Sequence, residues 1–383
     1  MYEGFISFVR DLYGTNGHIP LHEPIFMGNE KRYLSDTIDS TFVSSIGEYV
    51  NKFEQKICEY TGIKYAVATV NGTSALHIAL KLAGAVKDTE VITQSLTFVA
   101  TTNAIHYCGA SPVFVDVEKS TLGLSPVSLE KFLQENCELR EDGFCWNKLS
   151  NRRIIACLAM HTFGFPAQLE EIKRLCDGFN IKLIEDAAES LGSFYKNKHT
   201  GAYGKSSILS FNGNKIITTG GGGMILTNDE KLANDARHIT TTAKISHKWV
   251  FDHDLIGFNY RLPNLNAALG LAQLESLEII LKSKLKVANA YQKWGKENGV
   301  QFFKESSKTQ PNYWLNIVIT DDKNQRDLML EETNKNNIST RPVWIPMHQL
   351  EINCELFQSD MENTEWLSER LVCVPSSALK FKK

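Results

Sequence analysis

The feature that most constrains the fold is an alternation of short β-rich runs with longer helical patterns between about residues 60 and 230. This alternation is typical of a mainly parallel sheet covered by helices, because parallel neighbours need a crossover connection. Apolar residues with helical spacing lie between the runs, for example over 74–82 and 168–176. The seven predicted strands are 65–69, 90–93, 112–117, 153–159, 182–185, 207–211 and 223–227. The sequence therefore predicts an α/β fold.

The sequence pattern changes near Gly257, which indicates a second structural unit. Pro263, well placed near a helix start, precedes an Ala- and Leu-rich segment that we interpret as one connecting helix reaching about Trp294. Predicted strands at 312–320 and 338–344 follow it. We therefore predict a large α/β domain over 1–250, and a linking helix with a small C-terminal domain over 251–383.

Composition excludes several classes of protein. The 383 residues carry 41 Lys and Arg against 44 Asp and Glu, so the chain lacks the basic excess of a nucleic-acid binder. No apolar run approaches the roughly 20 residues that span a bilayer, and the acidic start lacks the pattern of a signal peptide, which predicts a cytoplasmic protein. The eight cysteines form no Cys-x-x-Cys pair, and the histidines at 238, 247 and 253 have no metal-ligand spacing, so we predict no metal site.

Three polar segments lie at predicted strand ends. Asn71-Gly72-Thr73-Ser74 opens a helix, where free N–H groups favour a phosphate, although a plain capped turn has the same composition. Asp186 follows an apolar strand, where an acid can touch a ligand or simply cap a helix. Lys215 lies just beyond another buried strand, where a desolvated amine can act as a nucleophile, although most lysines are surface charges.

Four consecutive glycines, 220–223, follow the lysine. No Gly-Lys-Ser/Thr comes after them, as a nucleotide-binding loop requires. We therefore predict a tight hairpin turn between 216–219 and 224–227.

The order of these segments in one α/β domain resembles the fold type I pyridoxal-phosphate (PLP) enzymes, and within them the DegT-type nucleotide-sugar aminotransferase family. The resemblance extends from about Ile19 through His348. It is carried by the runs 42–50 (FVSSIGEYV), 97–101 (TFVAT), 185–190 (EDAAES), 210–215 (SFNGNK), 257–261 (GFNYR) and 341–344 (RPVW). The implied fold is a mainly parallel seven-stranded sheet between helices, with a smaller C-terminal α+β domain.

The resemblance also implies a role for each matching residue. Lys215 takes the position of the Schiff-base lysine that also moves the proton, and Asp186 takes the position that pairs with the pyridine nitrogen, so these two are the catalytic residues. Phe98 matches the aromatic ring stacked on the cofactor, and Asn259 matches an asparagine that reaches the phosphate from the neighbouring subunit of a homodimer. The full implied cofactor-binding set is Gly72, Thr73, Ser74, Phe98, Asp186, Glu189, Ser210, Asn212, Lys215 and Asn259. The implied substrate contacts are Arg261, Arg341, Trp344 and His348.

Glu189 departs from the commonest family pattern, which has Gln or His near the phenolic oxygen of the cofactor. A carboxylate there needs either a proton or a compensating charge. With Glu189, the runs 70–77 (VNGTSALH) and 210–215 (SFNGNK) resemble one branch of the family, in which they occur together. That branch is associated with 4-amino sugars on the routes to legionaminic acid and bacillosamine.

The resemblance thus implies an enzyme that moves an amino group from L-glutamate to the 4-keto carbon of a 2-acetamido-2,6-dideoxy-4-keto hexose linked to UDP or GDP. Alternatives are an aminotransferase for 3-keto sugars and a non-catalytic binding or regulatory relative, which would be expected to lose Lys215 or Asp186. Sugar 3-dehydratases of the same fold carry His in place of the lysine. A nicotinamide-dependent enzyme would need Gly-x-Gly-x-x-Gly at the first strand-to-helix turn, where this chain has one glycine.

Overall fold

A computed structural model of the chain describes residues 2–379, so the outermost ends of the two predicted domains, Met1 and 380–383, lie outside the described residues. The helices are α1 Tyr2–Tyr13, α2 Glu30–Asp39, α3 Glu48–Thr61, α4 Gly72–Ala83, α5 Val99–Tyr107, α6 Pro126–Asn136, α7 Leu169–Gly178, α8 Glu230–Thr240, α9 Asn264–Glu275, α10 Leu277–Asn298, α11 Lys323–Lys335 and α12 Glu362–Ser368. Short 3-10 turns lie at Thr162–Gly164, Met347–Gln349 and Glu351–Asn353.

The strands are β1 Tyr65–Thr69, β2 Thr89–Gln94, β3 Ser111–Val115, β4 Cys137–Leu139, β5 Cys145–Asn147, β6 Arg152–Met160, β7 Lys182–Asp186, β8 Phe194–Tyr195, β9 Lys198–His199, β10 Ser206–Ser210, β11 Gly223–Thr227, β12 Gln301–Phe302, β13 Thr309–Gln310, β14 Asn316–Ile319, β15 Arg341–Pro342 and β16 Leu371–Val374. All seven strands predicted in the first 230 residues are present, with ends that shift by one or two residues.

The main sheet has the order β1-β11-β10-β7-β6-β2-β3, and the short hairpin of β4 and β5, which sequence analysis did not include, joins it at β6 to give nine strands. In the seven-strand path, β11 runs antiparallel to both its neighbours and every other pairing is parallel. Six strands of the path therefore point the same way, and their carboxyl ends share one edge. The predicted α/β fold is confirmed.

The predicted hairpin over the glycine run is wrong. β11 pairs with β10, with Ser210 opposite Gly223, and residues 216–219 form no strand. The chain between the two strands is a 12-residue loop, tied by hydrogen bonds from the Thr219 amide to the Phe211 carbonyl and from the Phe211 amide to the Gly222 carbonyl. This loop carries Lys215.

A second sheet, β12-β14-β16-β15, belongs to the C-terminal part, and β13 pairs with β8 in a small third sheet with β9. The predicted connecting helix is two helices, α9 and α10, which meet at Ser276. Helix α1 packs its buried Phe5 and Val9 with Tyr291 and Val318 of the C-terminal part. The first residues thus share a core with the second sheet, and the division of the chain at residue 250 stays a prediction. No helix within residues 2–379 is long and apolar enough to cross a membrane.

Candidate active site

The polar segments singled out in the sequence meet at the carboxyl edge of the main sheet. Asn71 follows β1, Phe98 follows β2, Asp186 ends β7 and Ser210 ends β10. These four strands point the same way, so their ends lie on one side of the fold, which is where open α/β sheets bind ligands.

Helix α4 begins in a form suited to an anion. The side chain of Asn71 caps it, with Oδ1 accepting a hydrogen bond from the Ser74 amide at 2.7 Å. The amides of Gly72 and Thr73 make no hydrogen bond within residues 2–379. A Cβ atom at Gly72 would lie 2.9 Å from the Cβ of Ser210, so glycine keeps open the space between the helix and β10. Open amides at a helix N-terminus form a ready site for a phosphate.

Asp186 is a buried carboxylate at the floor of the site, with 2% of its surface exposed. Its Oδ2 accepts a hydrogen bond from the Thr101 hydroxyl at 2.8 Å, and its Oδ1 accepts one from the Ala188 amide at 3.2 Å. Burial raises the pKa of Asp186, although these two hydrogen bonds and the charge of Lys215 oppose the shift. A protonated ring nitrogen would supply the counter-charge that this carboxylate lacks.

Glu189 and Lys215 form an ion pair, with 3.0 Å between Oε1 and Nζ. The other Glu189 oxygen accepts a hydrogen bond from the Phe163 amide at 2.8 Å, and the Lys215 Nζ lies 4.0 Å from the centre of the Trp314 ring. Burial raises the pKa of Glu189, while the charge of Lys215 and its hydrogen bond lower it. Burial is the largest influence, so the pKa is raised overall, and the Lys215 ammonium 3.0 Å away is the charge that can compensate a carboxylate at this position.

One cavity of about 360 Å³ collects most of the predicted residues. Those that line it are Gly72, Thr73, Phe98, Asp186, Glu189, Ser210, Asn212, Lys215 and Trp344. Phe98 is 47% exposed and its ring lies 6.0 Å from that of Trp344, so an aromatic side chain is accessible at the wall of the cavity. Ser74 lies in the first turn of α4 and does not line the cavity.

Arg341 lines a second cavity of about 490 Å³, which shares Asn214, Trp314 and Trp344 with the first. The shared residues make the second cavity a direct neighbour of Lys215. An arginine in this place can bind an anionic group of a substrate.

Besides Ser74, three predicted residues line neither cavity. Asn259 and Arg261 contact each other, with the guanidinium donating to Asn259 Oδ1 at 3.0 and 3.2 Å, and Asn259 is exposed. His348 is 6% exposed, and its Nδ1 lies 2.7 Å from the hydroxyl of Ser95. The structure therefore does not bring His348 to the substrate side, and its role stays a prediction.

Several residues of the site were not predicted from the sequence. Thr101, the hydrogen-bond donor to Asp186, stood inside the run 97–101 but received no role. Trp314 and His22 come from parts of the chain far from Lys215, and no local pattern marked them. Among residues 2–379, no group of three or more His, Cys, Asp or Glu side chains is placed to hold a metal ion.

Comparisons with known proteins identify the family of the chain. The DegT/DnrJ/EryC1/StrS aminotransferase family matches residues 25–380. The GDP-perosamine synthase of Escherichia coli O157:H7 is 37% identical over 361 residues, which cover 94% of this chain and 94% of that protein. Among solved structures, PseC of Helicobacter pylori, an aminotransferase involved in the biosynthesis of pseudoaminic acid, has a TM-score of 0.84 at 24% identity, covering 94% of this chain and 93% of that chain. The PLP form of Spr1654 from Streptococcus pneumoniae has a TM-score of 0.84 at 19% identity, covering 96% and 95%.

The fold and site therefore define a fold type I aminotransferase that depends on PLP. More particularly, the chain belongs to the DegT/DnrJ/EryC1/StrS family and is a sugar aminotransferase.

Proposed function

We propose that this enzyme transfers an amino group from L-glutamate to the 4-keto carbon of a nucleotide-linked 6-deoxy sugar. The observation that carries the proposal is the first cavity, where the Lys215 amine and the buried Asp186 carboxylate meet beside the open end of α4. The second cavity adjoins the same lysine and leaves room for a large acceptor.

The residues of the first cavity fit the cofactor. Gly72, Thr73 and Ser210 would hold the phosphate, Asp186 would pair with the pyridine nitrogen, and Phe98 would cover the ring. When bound, PLP supplies the electron sink that makes the hydrogen next to an amino group acidic. Asn212 lines the same cavity, and we keep it in the cofactor-binding set.

Lys215 is the group that moves protons. Its Nζ, freed when the incoming amine takes its place, would remove the α-proton of glutamate and later return a proton to the sugar carbon. Glu189, 3.0 Å away, balances the ammonium charge and fixes its position. Because 2-oxoglutarate leaves before the sugar reacts, the kinetics are ping-pong.

The second cavity supports a nucleotide-linked acceptor. Its Arg341 guanidinium suits a diphosphate, and Trp344 offers an aromatic surface beside it. The name of the related GDP-perosamine synthase favours GDP over UDP as the nucleotide. A 2-acetamido group on the sugar, and a place on the routes to legionaminic acid or bacillosamine, rest on the branch resemblance alone.

We further propose a homodimer with shared active sites. Asn259 and Arg261 line neither cavity of their own chain, and Asn259 is exposed, as expected for residues that complete a partner's site. The preceding segment exposes several large apolar side chains, as expected for a surface that a second copy covers. They are Ile245 (40%), Trp249 (73%), Val250 (46%), Phe251 (78%), Leu255 (59%) and Ile256 (86%).

The acceptor is tested with purified enzyme, L-glutamate and three ketosugars in separate reactions. These are a GDP-linked 4-keto-6-deoxyhexose, a UDP-linked 2-acetamido-2,6-dideoxy-4-keto-hexose and a 3-keto nucleotide sugar. We expect 2-oxoglutarate and an amino sugar from a 4-keto acceptor, with the new amine at C4 by NMR. Lys215→Ala is the control and should give neither product. Amination of the 3-keto sugar alone, or of none of the three, would contradict the proposal.

A further inference from the structure

His22 is a residue of the second cavity that neither the sequence pattern nor the family resemblance assigned. Its imidazole lines this cavity together with Asn214, Trp314, Arg341 and Trp344. Its Nδ1 is buried and makes no hydrogen bond within residues 2–379. A buried nitrogen without a partner is unfavourable, so it is a place where a ligand group can gain a hydrogen bond.

The backbone on both sides of His22 is hydrogen-bonded to the segment that follows β16. The carbonyl of Leu21 accepts a hydrogen bond from the Ser376 amide at 2.7 Å, and the amide of Glu23 donates one to the Ser377 hydroxyl at 2.9 Å. Ser376 is itself held by Lys284, whose Nζ lies 2.5 Å from its carbonyl oxygen. His22 therefore lines the cavity from a segment whose backbone is held by hydrogen bonds, as a binding residue needs.

The surroundings keep this imidazole neutral. Burial places the pKa of His22 well below its ordinary value, and the positive charges of Lys284 and Lys215 lower it further, while the backbone carbonyl of Asn214 opposes the shift. A neutral imidazole offers one N–H donor and one acceptor nitrogen. Such a group suits a hydroxyl, whereas a carboxylate or phosphate is better served by Arg341 in the same cavity.

We infer that His22 binds a hydroxyl group of the sugar acceptor through its imidazole. The inference rests on the proposed function and adds a residue to it: Arg341 contacts the anionic part of the acceptor and His22 its uncharged hexose. L-Glutamate has no hydroxyl, so His22 should matter for the acceptor and not for the amino donor.

The test compares His22→Phe, which keeps a planar ring but removes both nitrogens, with His22→Gln, which restores a donor and an acceptor. The loss of one hydrogen bond to a neutral group predicts a rise in the acceptor KM of about 3- to 10-fold for His22→Phe. His22→Gln should recover part of it. The rate at which L-glutamate converts the bound cofactor, measured by stopped-flow absorbance without acceptor, should remain that of the wild type.

His18→Phe is the matched control. His18 lies four residues earlier in the same segment, is exposed and contacts the Ser339 hydroxyl at 2.9 Å, and it lines neither cavity. This variant should leave the acceptor KM unchanged.

Two results overturn the inference alone: an unchanged acceptor KM in His22→Phe, or an equal slowing of the glutamate reaction in that variant. A His22→Gln variant no better than His22→Phe also contradicts it. A different result would contradict the proposed function itself: glutamate converts the cofactor of the wild type, but no nucleotide-linked ketosugar is aminated. In that case both the proposed acceptor and this role of His22 are wrong.

Discussion

The adjacent carboxylates Glu185 and Asp186 have different surroundings, and their pKa values shift in opposite directions. Glu185 accepts hydrogen bonds from the amides of Gly201, Tyr203 and Gly204 at 2.6 to 2.7 Å, so it organises the loop before β10. Burial raises the pKa of Glu185, but its contacts with His161 and with these amides outweigh burial and lower the pKa overall. For Asp186, burial is the larger influence and the pKa is raised.

This difference predicts different losses in two matched variants. Asp186→Asn should lower kcat by about 100-fold or more, because the ring nitrogen loses its charged partner, with little change in the free energy of unfolding. Glu185→Gln should instead lower the free energy of unfolding by about 1–3 kcal/mol, because an amide cannot accept all of these hydrogen bonds. Steady-state kinetics and urea unfolding measure the two effects. The assignment is wrong if Asp186→Asn keeps its kcat or if both variants lose only stability.

At the scale of elements, the strands were predictable because each is a short apolar run between helical patterns. The glycine run misled because a tight hairpin and a long loop between antiparallel strands have the same local composition. Only the pairing of β10 with β11, a contact between distant residues, distinguishes them. The break at Ser276 was also missed, since Leu, Glu and Ile continue a helical pattern through it. The hairpin of β4 and β5 has only three residues per strand, which is too short for a periodic pattern.

At the scale of the whole molecule, sequence resemblance predicted the residues that follow strand ends, and most of these line one cavity. The second cavity takes His22 from the N-terminal segment, and Trp314, Arg341 and Trp344 from the C-terminal part. Only tertiary packing brings these residues beside Lys215. For His348, closeness in sequence was misleading. Arg341 and Trp344, a few residues earlier, line a cavity, whereas the His348 ring contacts the Ser95 hydroxyl.

The proposed shared sites predict that two inactive variants restore each other. Lys215→Ala and Asn259→Ala, carrying different tags and expressed together in equal amounts, would form mixed dimers with one intact site of two. With random pairing, about half of the dimers are mixed, so the expected activity is about a quarter of that of the wild type. Each variant alone serves as the control. Activity of the mixture equal to the mean of the two variants would show that the sites are not shared.

The visible absorption spectrum of the purified enzyme with PLP, recorded before and after L-glutamate is added, tests whether Lys215 holds the cofactor. We expect a visible band from the cofactor bound to Lys215, which disappears with glutamate and returns with the correct ketosugar. Lys215→Ala should not show this cycle. A wild-type protein that stays colourless with PLP, or a Lys215→Ala variant that completes the cycle at the wild-type rate, would contradict the assignment of Lys215.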